Sequence, residues 1–291
     1  MSQPKLSSHG RKTTQLDQKS TSERFLGLSL AGGKTDKACL ALIDYYPAQK
    51  KVFLSQLYHS IYSDDSISAD SKITELILGL KNKIKYLAVD HPWRLPQCLR
   101  CQLSCPGHEA CHEPHIKWFW SAFKKQRKNN KAAKIFTPYT QRCVETIIGS
   151  QLETKFEISH ALGANAAPLL ARAQFLNRRT EKVNWIEVFP ILSVWRIGKH
   201  LKMKKSDLKS YRKSAVGESC RGQILENLQK HDVVFLYKED VQIMIQSVHA
   251  FDAFICAYTA FLKSSNQTEK IPPNFPSGED WIEFPIENLK I

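Results

Sequence analysis

Between residues 25 and 89 the chain changes its hydrophobic period twice, and that change limits the folds open to it. Three short apolar runs come first, at residues 25–31, 38–46 and 52–61, parted by Gly32-Gly33 and by Pro47. Such runs, separated by turn formers, predict an antiparallel meander. Next, Ile73, Leu76, Ile77 and Leu80 recur at the spacing of one helical face, with Asp70 or Ser71 placed to cap the start. Residues 84–89 then read as a buried strand that ends at Asp90, with Pro92 behind it. A β-β-β-α-β order implies a mixed α/β sheet with helices packed on it.

The pattern breaks at residues 93–140, which are rich in Cys, His, Trp and Lys and read as an insertion. A helix is expected from near Ser159, where Leu162, Ala166, Leu169, Ala173 and Leu176 keep one face. A strand at 183–188 follows, stopped by Pro190. A long final helix is expected at about 241–262, capped by Asp240, with Ala253, Ala257 and Ala260 small enough for close packing on the sheet. A short strand at 281–284 closes the chain. The organisation is therefore one α/β domain over residues 24–291 with an insertion at 93–140. Residues 1–23 read as a disordered basic tail, poor in large apolar side chains.

In open α/β sheets, ligands collect at the carboxyl ends of the strands. Ser29 and Asp90 lie near such ends, Glu187 lies late in its strand, and Asp252 follows His249 by three residues on the last helix. Carboxylates converging from several elements suit divalent-metal phosphoryl transfer, and Mg2+ or Mn2+ takes oxygen ligands of this kind. His249 is a candidate ligand or a group that positions the attacking water.

Cys98, Cys101, Cys105 and Cys111 fall within 14 residues, among Pro96, Pro106, Gly107 and Pro114. Four thiolates suit tetrahedral zinc, and equally an iron–sulfur cluster. His108, His112 and His115 are alternative ligands. Such a site would be structural, ordering a segment too polar to build its own core. Cys39, Cys143, Cys220 and Cys256 are scattered in apolar or mixed contexts and read as structural.

The net charge of +14 favours a polyanionic partner, nucleic acid first. Two basic runs carry the expectation. Lys124, Lys125, Arg127 and Lys128 follow the cysteines, with Trp118, Phe119, Trp120 and Phe123 interleaved; these aromatics are expected to form a small core beside the metal loop. Lys204, Lys205, Arg212 and Lys213 belong to a second run over residues 196–213. Contacts of this kind hold the phosphate backbone without reading bases. No apolar run reaches the roughly 18 residues that span a bilayer, so no membrane partner is expected. No apolar leader is evident, so the expected location is cytoplasmic, where clustered cysteines bind metal rather than form disulfides.

Five stretches carry a resemblance. They are Phe25-Leu26-Gly27-Leu28-Ser29-Leu30-Ala31-Gly32, Ala88-Val89-Asp90-His91-Pro92, Pro138-Tyr139-Thr140-Gln141-Arg142-Cys143-Val144-Glu145, Trp185-Ile186-Glu187-Val188-Phe189-Pro190, and His249-Ala250-Phe251-Asp252-Ala253-Phe254. In this order, over about residues 25–262, they resemble domain-of-unknown-function family 429, a family of predicted nucleases. The resemblance implies an RNase H-like mixed sheet, β-β-β-α-β-α-β-α, with Asp90, Glu187 and Asp252 holding the metal. The His249/Asp252 pair also resembles the last motif of Holliday-junction-resolvase-like nuclease domains, and Tyr211-Arg212-Lys213 resembles a Tyr-Lys element of the family. The chain departs from the family at Ser29, where an Asp is usual. A hydroxyl is a poor magnesium ligand, so the resemblance leaves open a working nuclease, an impaired one, or a nucleic-acid-binding or protein-interaction scaffold.

Overall fold

The computed structural model describes residues 22–32, 36–80, 84–163, 165–230 and 234–290. What residues 1–21 and Gly33 were expected to do lies outside them. Strands β1 (Glu23–Leu30), β2 (Ala38–Tyr46) and β3 (Lys51–Ile61) form the meander, and helix α1 (Ala69–Leu80) leads into β4 (Ile84–Val89). Helices α2 (Gln97–Arg100) and α3 (Pro114–Asn129) lie in the Cys-rich segment. Helices α4 (Cys143–Ser150) and α5 (Ala166–Arg179) precede β5 (Trp185–Val188). After it come α6 (Pro190–His200), α7 (Lys205–Leu208), α8 (Ala215–Lys230), β6 (Val234–Phe235), α9 (Lys238–Gln246), α10 (Val248–Ser264) and β7 (Ile282–Glu283).

The strands make one mixed sheet in the order β6-β3-β2-β1-β4-β5-β7. Strand β2 runs antiparallel to β1 and β3, and the other pairs are parallel. Strand parity sorts the core. Leu26, Leu28, Leu30, Leu87 and Val89 meet Ile73 and Ile77 of α1 and Leu169 and Leu176 of α5. Phe25, Ala88 and Val188 meet α6, α8 and α10 on the opposite face. Helix α10 is buried from Ala250 to Leu262, as its nearly all-apolar sequence requires.

Gly27 lets α10 lie directly on β1. A Cβ there would stand 2.0 Å from the Ala253 carbonyl oxygen and 2.5 Å from the Ala257 nitrogen. This contact brings the first turn of α10 to the carboxyl ends of β1 and β4. Arg172 of α5 holds the same end from the other side, donating to the Ala31 and Lys37 carbonyls at 3.0 and 3.2 Å.

The final helix differs from its expected form. Residues 238–264 make two helices, α9 and α10, bent by 116° at Ser247. Ser247 caps α10 by accepting from the Ala250 N–H, whereas Asp240 lies inside α9, whose cap position is Tyr237. Apolar spacing continues across the bend, which hides it; the serine hydroxyl is the signal that marks it. The helix expected from near Ser159 begins at Ala166 as α5. Among the described residues no single helix is long and apolar enough to cross a membrane.

Candidate functional site

The acidic residues singled out in the sequence fall into two separate buried networks. The first gathers Ser29, Asp90, His249 and Asp252 where α10 crosses the ends of β1 and β4. Ser29 is fully buried and its Oγ donates to Asp90 Oδ2 at 2.6 Å. Asp90 Oδ1 accepts from the Leu30 N–H at 3.2 Å and lies 3.3 Å from His91 Nε2. His249 Nδ1 stands 3.0 Å from Ser29 Oγ. Ser29 has one hydroxyl proton; once that goes to Asp90, the remaining contact requires Nδ1–H of His249 to donate. This tautomer leaves Nε2 unprotonated. Burial lowers the His249 pKa; Asp90 opposes this, and Arg212, His91 and Lys37 reinforce it. The imidazole is therefore kept neutral, as a base must be.

Asp252 lies beneath this group and is 0% exposed. Its Oδ1 accepts from the Tyr211 hydroxyl at 3.0 Å. Its Oδ2 sits 3.2 Å from Arg212 Nη2, but outside hydrogen-bond geometry, so this buried oxygen has no donor. Burial pushes its pKa up to about 6 against the pull of Arg212, and Asp90 adds to the rise. The Arg212 side chain itself is half-exposed. The loop carrying Tyr211 and Arg212 is anchored by buried Arg221, whose guanidinium donates to the Tyr211 and Ile245 carbonyls. Gly217 makes room for this loop: a Cβ there would meet the Tyr211 carbonyl oxygen at 2.4 Å.

Glu187 does not join this group. It pairs in register with Val89, and its strand neighbour Trp185 packs in the core on the α1/α5 side of the sheet. Both its oxygens accept from Arg142, at 2.6 and 2.7 Å. Arg142 also donates through Nε to Glu145 at 2.8 Å, and Glu145 accepts from the Arg142 N–H at 3.1 Å as a capping box for α4. All three side chains are almost completely buried. One guanidinium here faces two carboxylates. Burial, opposed by Arg142 and reinforced by Glu187, pushes Glu145 up to about 7.

The four clustered cysteines line one cavity of about 200 Å3 together with His112 and His115. Burial, then the three neighbouring thiols, push the Cys98 thiol up. Among the described residues no three His, Cys, Asp or Glu side chains stand as a ready-made set for a metal ion. Cys39, Cys143, Cys220 and Cys256 are buried. The interleaved aromatics of α3 form a core: Phe119 stacks on Phe136 at 4.8 Å, and Trp118, Trp120 and Phe123 pack around them. Lys124, Lys125, Arg127 and Lys128 stay exposed on α3, and Lys204, Lys205, Arg212 and Lys213 are exposed around α7. Arg196 of the second run is instead buried, paired with Glu153 and Glu269.

A family model described as "Protein of unknown function (DUF429)" matches residues 51–276. The chain belongs to the DUF429 family. The match takes in Asp90, Glu187, His249 and Asp252, but begins after β1, so Ser29 lies outside it. No curated protein and no solved structure matches the chain. Within this DUF429 protein, sequence reasoning placed Arg212 only among phosphate contacts and missed its pairing with Asp252. It also missed the Arg142–Glu145–Glu187 cluster, although an Arg followed by a Glu three residues on was a visible signal of a local pair.

Proposed function

We propose that this protein is a metal-dependent nuclease of RNase H-like fold, with its active site formed by Asp90, His249 and Asp252. The fold reading is supported by the β-β-β-α-β start, the antiparallel β2 and the placement of α10 on β1. The observation that carries the functional reading is the meeting of two buried carboxylates and a neutral histidine at the carboxyl ends of β1 and β4. The donor-less Oδ2 of Asp252 fits a cation.

Asp90 and Asp252 would hold Mg2+ or Mn2+. The ion would supply Lewis-acid charge to the scissile phosphoryl group. Two carboxylates suit one ion rather than two, because Glu187 is committed to Arg142 and Ser29 is neutral. Ser29 holds Asp90 and His249 in register. His249 Nε2 takes the proton of the attacking water. Arg212 turns from Asp252 to the phosphate, and Lys204, Lys205 and Lys213 hold the flanking backbone.

The test is cleavage of labelled single-stranded, duplex and branched DNA and RNA with Mg2+ or Mn2+, comparing wild type with Asp252→Ala. Cleavage that requires the metal and vanishes in the variant supports the nuclease. Equal cleavage by both proteins refutes this site. A second reading is a nucleic-acid-binding protein on a degenerate scaffold, and one observation favours it: Asp90 is already satisfied by Ser29 and Asp252 is charge-paired with Arg212. It predicts salt-dependent binding without cleavage, and cleavage regained by Ser29→Asp.

A further inference from the structure

We propose that Cys98, Cys101, Cys105 and Cys111 bind one zinc ion as thiolates, and that this ion, in place of a hydrophobic core, folds the loop between α2 and α3. Residues 101–113 contain no helix or strand. Their largest apolar side chain, Leu103, is 64% exposed, so burial cannot hold the loop together. The loop nevertheless borders one small cavity, and all four cysteines are among the residues that line it.

The backbone is shaped for that closure. The chain reverses between Cys105 and Cys111 through a turn closed by Ala110 N–H donating to the Gly107 carbonyl at 3.2 Å. Gly107 has φ +88°, a conformation that other residues rarely adopt. The loop is pinned just before its start and again at its middle. Arg100 donates to the Gly278 carbonyl and to Asp280, each at 2.9 Å. At the middle, Trp120 Nε1 donates to the His108 carbonyl at 3.2 Å, and the two rings stack 6.2 Å apart. The four cysteines thus share one cavity, near enough for Cys101, Cys105 and Cys111 to act on the Cys98 thiol, without yet forming a closed ligand set.

The remaining cysteines show what a structural thiol does here. Cys39 Sγ donates to the His59 carbonyl at 3.0 Å, and Cys143 Sγ to the His115 carbonyl at 3.8 Å, both from fully buried positions. The four loop cysteines are partly exposed. Zinc has no preferred geometry from its d electrons and would draw the four side chains into a tetrahedron of thiolates; each thiol releases its proton to solvent on binding. Four protein ligands fill the shell, so the site is structural. Its effect reaches α4, because the segment held by Arg100 also carries Glu279, whose Oε2 accepts from the Cys143 N–H at 3.1 Å.

Elemental analysis and native mass spectrometry of the full-length protein test this without any assay of cleavage. The expected result is one zinc per chain, released by a thiol-blocking mercurial. Co2+ added to the stripped protein is expected to give intense sulfur-to-cobalt absorption. Cys105→Ser and Cys111→Ser are expected to weaken zinc binding at least about 10-fold. Should these variants not fold, the zinc and cobalt measurements on the wild type decide. A stripped chain that binds neither metal overturns the proposal. So does iron with inorganic sulfide in place of zinc.

Discussion

The Arg142 cluster and the Asp252 cluster use the same parts, an arginine and carboxylates, in two separate networks. Arg142 is 1% exposed and each of its three guanidinium nitrogens donates to Glu145 or Glu187. Arg212 is 41% exposed in its side chain and touches Asp252 without completing a hydrogen bond. A saturated buried pair is fixed, because moving either partner strands a charge in a low-dielectric interior. The half-exposed guanidinium of Arg212 can turn to a phosphate only if a cation or a proton takes its place beside the buried Asp252. The difference teaches that burial of an acid does not by itself mark chemistry. A buried carboxylate oxygen left without a donor, as in Asp252, is the better candidate for a ligand.

Arg142→Ala tests the fixed half of the comparison. It leaves Glu187 and Glu145 buried without a counterion and is expected to cost about 3–5 kcal/mol of stability, read by urea unfolding. Glu145→Gln is expected to cost far less, because Glu145 already titrates near 7 and its neutral form is close to what the fold holds. A loss below about 1 kcal/mol for Arg142→Ala would break the comparison.

Asp252→Asn is expected to act with the opposite sign. The folded pKa of Asp252, about 6, lies above its ordinary value of 3.8. The folded chain therefore binds the proton more tightly than the unfolded chain does, and stability falls as pH rises from about 4 to about 6. Above that window the ionised carboxylate costs up to about 3 kcal/mol. Asn keeps an acceptor for the Tyr211 hydroxyl and carries no charge. The variant should therefore be more stable than wild type at pH 8, equal to it below pH 4, and devoid of metal-dependent cleavage at either pH. A destabilised Asp252→Asn would place Asp252 with Arg142 among the scaffold residues.

Local order explains which of these features were legible. The meander, α1, β4 and the close packing of α10 follow from spacing that any short window contains. The gathering of Ser29, Asp90, His249 and Asp252 was legible because three of them lie at element ends that topology brings together. Glu187 was misplaced because its face depends on strand parity: Trp185 and Glu187 point one way, Ile186 and Val188 the other. Its partner Arg142 is 45 residues away, a pairing that no local pattern encodes. Helix α8 went unread because Gly217, Gly222 and its polar residues blur its apolar face. The bend at Ser247 lay under an unbroken apolar rhythm.

The smallest effects per residue belong to the surface lysines, and they sharpen the comparison by asking which face meets the polyanion. Lys204, Lys205 and Lys213 are exposed in the same basic run as Arg212, whereas Lys124, Lys125 and Lys128 are exposed on α3. Removing one lysine that pairs with a phosphate should reduce the slope of log K against log salt by about 0.9 on duplex DNA. Replacing the first three with Ala is thus expected to flatten the slope by about 2–3 and weaken cleavage and binding in parallel. Replacing the α3 set should change binding by the same rule only if nucleic acid also runs over the insertion. Equal weakening from both sets would mean a track that crosses the molecule from the Arg212 side to α3. Weakening from the α3 set alone would detach nucleic-acid binding from the acidic site, and with it the reason to assign that site to phosphodiester chemistry.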